Sequence, residues 1–168
     1  MSSNTMLVME LLHASHTAQQ KPPPAHRLDS PACRVVSREA RKDADDGGMQ
    51  RLNILAVGIG VCATDLTFVL AEHKKITAEA LIDELAAGHA KAGHATELPA
   101  ALRAMGKGVE ATAELFAGIF VRDQGAFMDL IVELGDYAAT CVSALAALDI
   151  SPVDETLAEL EITLNELG

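Results

Sequence analysis

Gly125-Ala-Phe-Met-Asp-Leu-Ile-Val-Glu-Leu-Gly-Asp-Tyr-Ala-Ala-Thr-Cys-Val-Ser-Ala-Leu-Ala-Ala-Leu148 decides the fold class. Phe127, Leu130, Ile131, Leu134, Ala138, Cys141, Val142 and Leu145 recur at helical spacing. At 100° per residue they centre on one side of a helix. Asp129, Glu133 and Asp136 fall together on the opposite side, and Thr140 and Ser143 continue their line. A surface helix carries a broad polar face with charges of both signs. Here Val132, Gly135 and Ala139 flank a thin acidic line, so burial around most of the circumference is expected.

Three more helical segments surround this one. Ala78–Ala87 follows Thr77, a side chain suited to cap a helix N-terminus, and Gly88 or Gly93 should end it. Pro99–Val121 places Leu102, Met105, Val109, Phe116, Ile119 and Phe120 at helical positions, with a bend or split at Met105-Gly-Lys-Gly108. Ser151-Pro152-Val-Asp154 opens a last helix that runs to Leu167, with Ser as cap and Pro at the first helical position. The connections are short, which favours antiparallel neighbours. The chain of 168 residues has no Trp and few aromatics, as suits close helix packing. The fold class expected is all-α: a bundle of about four helices from residue 76 onward.

Residues 1–50 read as a disordered extension to a helical bundle domain at 51–168. They hold Lys21-Pro-Pro-Pro24, scattered Ser and His, and the run Arg41-Lys-Asp-Ala-Asp-Asp-Gly-Gly48. Too little periodic apolar surface is visible there to offset the entropy of ordering. A brief helix at 5–13 is the exception, and removal of 14–48 is expected to leave the fold intact. Residues 52–72 are nearly continuous apolar sequence. The uninterrupted run Ile54–Ala63 is short for a membrane span, and Asp65 would lie inside a longer one. Gly58-x-Gly60-x-x-Ala63 has the form of a dinucleotide fingerprint, but that motif needs a strand before it and a second strand downstream. A buried helix or strand-like lead-in, packed on the bundle or mediating association, is the reading that remains.

Charge narrows the function classes. Residues 1–50 are neutral, whereas residues 51–168 hold 7 Lys/Arg and 18 Asp/Glu, which accounts for the whole net charge of −11. Such a surface repels nucleic-acid backbones. Cys33, Cys62 and Cys141 are an odd number without CxxC spacing, so neither a disulfide framework nor a zinc site is indicated. A reducing, cytoplasmic setting is the expectation. The N-terminus lacks the basic lead of a signal peptide, and no membrane partner is expected. His89 and His94 are five apart, a poor spacing for one metal on one helix face.

Two carboxylate pairs carry the chemistry. Glu110 and Glu114 lie one turn apart on one helix, and Glu133 and Asp136 share a face of the next. Mg²⁺ takes oxygen ligands and bridges a few carboxylates to substrate phosphates. Glu133-Leu-Gly-Asp136 and the stretch that follows, through Leu148-Asp-Ile-Ser151, resemble the MazG-like, all-α nucleoside triphosphate pyrophosphohydrolases. In that family an E-L-x-D element opens a long apolar helix, and an E-E-x-x-E element lies one helix earlier. Glu110-Ala-Thr-Ala-Glu114 stands in the corresponding place, and the resemblance spans about residues 76–160. It implies Mg²⁺-dependent hydrolysis of a nucleoside triphosphate to a monophosphate and pyrophosphate by a homo-oligomer. It further implies Glu110, Glu114, Glu133 and Asp136 as metal ligands, the first two catalytic, with Asp129 in support. Lys107, Arg122 or Arg103 would hold the nucleotide's phosphates. The chain departs from the pattern in spacing its Glu pair i, i+4, in Ala111, and in having no Lys or Arg after Arg122. The alternative is a non-catalytic helical interaction or oligomerisation module. The missing basic partners favour the module, and the carboxylate pairs favour the enzyme.

Overall fold

The computed structural model describes residues 2–93 and 96–167. They form α1 (Ser3–Gln19), α2 (Pro31–Asp46), α3 (Gln50–Lys74), α4 (Ala78–Lys91), α5 (Leu98–Lys107), α6 (Val109–Arg122), α7 (Gln124–Ala147) and α8 (Val153–Leu167). A single 3-10 turn at Arg27–Asp29 precedes α2, and no strand occurs among the described residues. The fold is all-α, as its periodicity requires.

The centre is the pair α3 and α7, the two longest helices, packed along each other. The eight apolar positions that define α7 in the sequence are all buried. α1 and α2 pack on each other and on both members of this pair. α4 and α5 cover α3, α6 bridges α5 and α7, and α8 returns over α7 against α1 and α3. Thr77 caps α4 as expected, accepting from Ala80 N at 3.0 Å. α4 ends at Lys91, with Gly93 at φ +80° just beyond. Gly108, at φ +126°, splits the segment 99–121 into α5 and α6, at the place where a bend or split was expected. α6 and α7 meet edge-on through Phe127, whose ring centroid lies 5.7 Å from that of Phe116 and 5.9 Å from that of Phe120.

The structure departs from the sequence reading at the N-terminal end. Residues 1–50, expected as a disordered extension, supply α1 and α2 to the centre of the bundle. α1 is longer than the brief helix expected at 5–13, and it buries Val8, Leu11, Leu12 and Ser15. α2 buries Ala32, Val35, Val36, Glu39, Ala40 and Asp43, which is a helical stripe. Its last positions are carboxylates rather than apolar residues, so the stripe is disguised as an aperiodic charge run. The bundle therefore does not begin near residue 76, and it holds more helices than four.

Residues 52–72 lie within α3, and its glycines serve packing. A Cβ on Gly58 would stand 2.3 Å from Val8 Cγ2 of α1. A Cβ on Gly60 would meet Met105 of α5 at 3.2 Å. Gly135 of α7 does the same for Ser15 of α1, whose Oγ would be 2.9 Å away. Each glycine lets a neighbouring helix approach closely, at a helix-propensity cost of about 1 kcal/mol. That close approach explains a Gly-x-Gly spacing with no dinucleotide fold around it.

Candidate functional site

The acidic line of α7 lies beside the end of α1. Gln19 Nε2 donates to the Asp136 carbonyl oxygen at 3.0 Å and to Thr140 Oγ1 at 3.1 Å. Asp129 and Asp136 are exposed, and Glu133 is half-buried. All three make polar or ionic interactions.

The Glu110 and Glu114 side chains lie elsewhere. α6 buries Thr112, Phe116 and Ile119. At 100° per residue, Glu110 and Glu114 sit about half a turn around the helix from that face. Both are exposed. The helix that contacts α7 through Phe116 thus turns its carboxylates away from the core. Among the described residues, no group of three or more His, Cys, Asp or Glu side chains is gathered closely enough to hold a metal ion. The four expected ligands are not brought into one site. The separation of a carboxylate from the α6–α7 turn in sequence fixes its height along the pair but not its rotation about the helix axis.

The expected phosphate-holding cations are also dispersed. Arg122 Nη2 pairs with Glu97 at 2.9 Å. Arg103 is held by Glu79 at 3.0 Å and Asp83 at 2.7 Å. Lys107, the last residue of α5, is exposed. His89 Nδ1 lies 3.3 Å from Thr96 Oγ1, and His94 is outside the described residues.

A densely charged cleft lies apart from every residue expected at a site. It has a volume of about 710 Å³ and lies between α1, α2 and the start of α3. Arg38 grips Glu10 through two bonds of 2.6 and 2.8 Å, and its Nε donates to Glu39 at 2.6 Å. Glu39, only 3% exposed, also faces Lys42 at 3.4 Å and Arg51 at 3.9 Å. Arg51 contacts Asp46 as well. The forked bonds of Arg38 hold the Glu10 carboxyl below its usual range, and the same partners raise the guanidinium. Buried Asp43 accepts from Arg51 N and Leu52 N, both at 2.9 Å, and so caps α3 from the end of α2. Arg38, Lys42 and Arg51 each already face a carboxylate. The arrangement is a clasp that ties three helices together. Its signal in the sequence is the spacing Ala32, Val35, Val36, Glu39, Ala40, Asp43, once carboxylates are allowed at core positions.

α3 and α7 are both long and apolar enough to cross a membrane by length and composition, and in this structure they pack on each other. The three cysteines are buried and free. Compared with protein-family models, with curated proteins and with solved structures, the chain matches none.

Proposed function

We propose that the chain is a helical interaction module that associates with a second copy of itself through the outward face of α3. The observation that carries this reading is apolar exposure on the central helix. Phe68 is 53% exposed, Val69 42% and Val57 37%. With half-buried Val61 and Thr64, Val57 and Phe68 form one line along α3 at helical spacing. Exposed apolar stripes bordered by polar residues mark association surfaces. Asn53, Val57, Val61, Thr64 and Phe68 bear no charge, in a chain of net charge −11. Two such copies meet with least repulsion across an uncharged strip, and a twofold contact of like patches is the commonest closed arrangement. The cytoplasmic setting belongs to the same reading, supported by three free thiols.

Sedimentation at micromolar concentration tests it. A dimer that tightens with added salt is expected, since salt screens the repulsion between acidic copies. Val57→Glu and Phe68→Glu, both at exposed positions, should each shift the protein to monomer without loss of helix. A wild-type monomer at all salt concentrations overturns the reading.

A second reading rests on the Glu133-Leu-Gly-Asp136 element of α7. Mg²⁺ can be held by one or two carboxylates together with substrate phosphates. Glu133 and Asp136 would then supply a metal site for nucleotide pyrophosphate hydrolysis without Glu110 and Glu114. Mg²⁺-dependent pyrophosphate release from a nucleoside triphosphate, lost in Glu133→Gln, is its test. Absence of release from the wild-type protein rejects it.

A further inference from the structure

We propose that the groove on the outer side of α2 receives α8 of a second copy of this chain, head to tail. The groove is framed by Leu28 of the turn before α2, by Met128 of α7, and by Arg34, Ser37 and Arg41 of α2. Two cations line it and no carboxylate does. Arg38, Arg51, Arg103 and Arg122 each hold a carboxylate, whereas Arg34 and Arg41 hold none among the described residues. Both are exposed, and Leu28 beside them is 71% exposed. Unpaired cations next to open apolar surface are complementary to an acidic, partly apolar segment.

α8 is such a segment. It carries five carboxylates and no Lys or Arg. Its buried side is Thr156, Leu157, Leu160 and Leu164. At 100° per residue, Glu155, Glu159, Ile162 and Glu166 line up on the opposite side, all exposed, with Ile162 at 59%. The two helices match in spacing. Arg34, Ser37 and Arg41 stand at i, i+3 and i+7, and so do Glu159, Ile162 and Glu166. The outer members of each trio are about 10.5 Å apart along the helix axis, at 1.5 Å per residue. Two glutamates can therefore meet two arginines while Ile162 covers apolar wall of the groove. Within one chain α2 and α8 make no contact among the described residues, so the occupant comes from another molecule. The arginines belong to the neutral first fifty residues, and α8 to the stretch without cations after Arg122, so the contact avoids the repulsion between acidic halves. Neither trio contains a residue of α3, and the contact is independent of association through that helix. Unlike patches joined head to tail leave one groove and one α8 free, so association continues past a pair.

Sedimentation of the full chain carrying Phe68→Glu tests the proposal, because that background removes the α3 contact whether or not it forms in the wild type. The mean mass should rise with concentration beyond that of a dimer. Arg34→Glu with Arg41→Glu should weaken this association about tenfold or more, and Glu159→Arg with Glu166→Arg should do the same. An equal mixture of the two double variants should associate again, to within about threefold of the parent, because each groove then meets an α8 of opposite charge. Should the charge reversals unfold the chain by circular dichroism, Arg34→Gln with Arg41→Gln should weaken association about threefold or more. A parent that stays monomeric up to millimolar concentration overturns the proposal. So does a mixture that fails to associate, or a glutamine variant that matches the parent. Association lost on changing the arginines but kept on changing Glu159 and Glu166 would give the groove to a different acidic segment, and overturns α8 as its occupant.

Discussion

Gly58 and Gly88 both sit inside helices, yet they should answer to alanine in opposite directions. At Gly58 a methyl would stand 2.3 Å from Val8 Cγ2, so α1 and α3 must separate or Val8 must turn. Gly58→Ala should cost about 1–3 kcal/mol, the usual penalty of overpacking. At Gly88 a methyl meets nothing within 4 Å, and the substitution should stabilise the chain by about 0.5–1 kcal/mol. Thermal or denaturant melts of the two variants check the contrast. Cys62 makes a prediction in pH. Burial, with the charge of Asp65 adding to it, pushes this thiol from 9.0 up to about 12. The folded thiol stays neutral where the unfolded one ionises. Stability is therefore unaffected below about pH 9 and falls by roughly 1.4 kcal/mol per unit between the two values. Cys62→Ala should flatten that alkaline decline in pH-resolved unfolding curves. The sequence disclosed the glycine spacing but not its use, since the atom that each glycine admits lies on another helix.

At the scale of elements, α2 and α3 are held by one carboxylate. Asp43 accepts both Arg51 N and Leu52 N and lies 3.9 Å from the Arg51 guanidinium. Asp43→Ala would leave two donors at the start of α3 unsatisfied and loosen the clasp around Glu39. A loss of about 2 kcal/mol or more is expected, read as a lower denaturant midpoint. Little change would show that water replaces the carboxylate. The helices α4, α7 and α8 were legible because their apolar spacing is helical, and at α4 the capping residue Thr77 coincides with it. α2 was not, because Glu39 and Asp43 occupy core positions and are satisfied by partners on α3 and their own helix. The division of α5 from α6 was legible as a split at Gly108. The outward turn of Glu110 and Glu114 could also have been read from α6 alone. Thr112, Phe116 and Ile119 define its inner face, and the two carboxylates lie opposite.

For the whole molecule, the sequence shows an all-helical chain but not which helices meet. The pairing of α1 with α7 joins residues more than a hundred positions apart, such as Gln19 and Thr140. No local pattern encodes a contact at that distance, and so the first fifty residues looked dispensable. In the structure α1 and α2 pack on both α3 and α7, so a chain starting at Met49 should lose the α1 partners of Gly58 and Gly135 and expose part of α3 and α7. Circular dichroism and gel filtration should show such a chain to be molten or aggregated. A cooperative melt close to that of the full chain would contradict the structure.

The placement of α7 between helices from the first half of the chain has a consequence for biosynthesis. α3 is complete at residue 74, whereas its main partner ends only at residue 147. At a ribosomal pace of about 5–20 residues per second, α3 waits roughly 4–15 s for that partner. During this interval α1 and α2, and then α4 and α5, can cover α3, but the face that packs on α7 has no partner. The nascent chain should therefore be a strong client for a holding chaperone until α7 emerges. Ribosome-bound chains arrested before residue 124 should be cut readily by protease within α3. Full protection at that length would show that the helices preceding α7 shelter α3 without it.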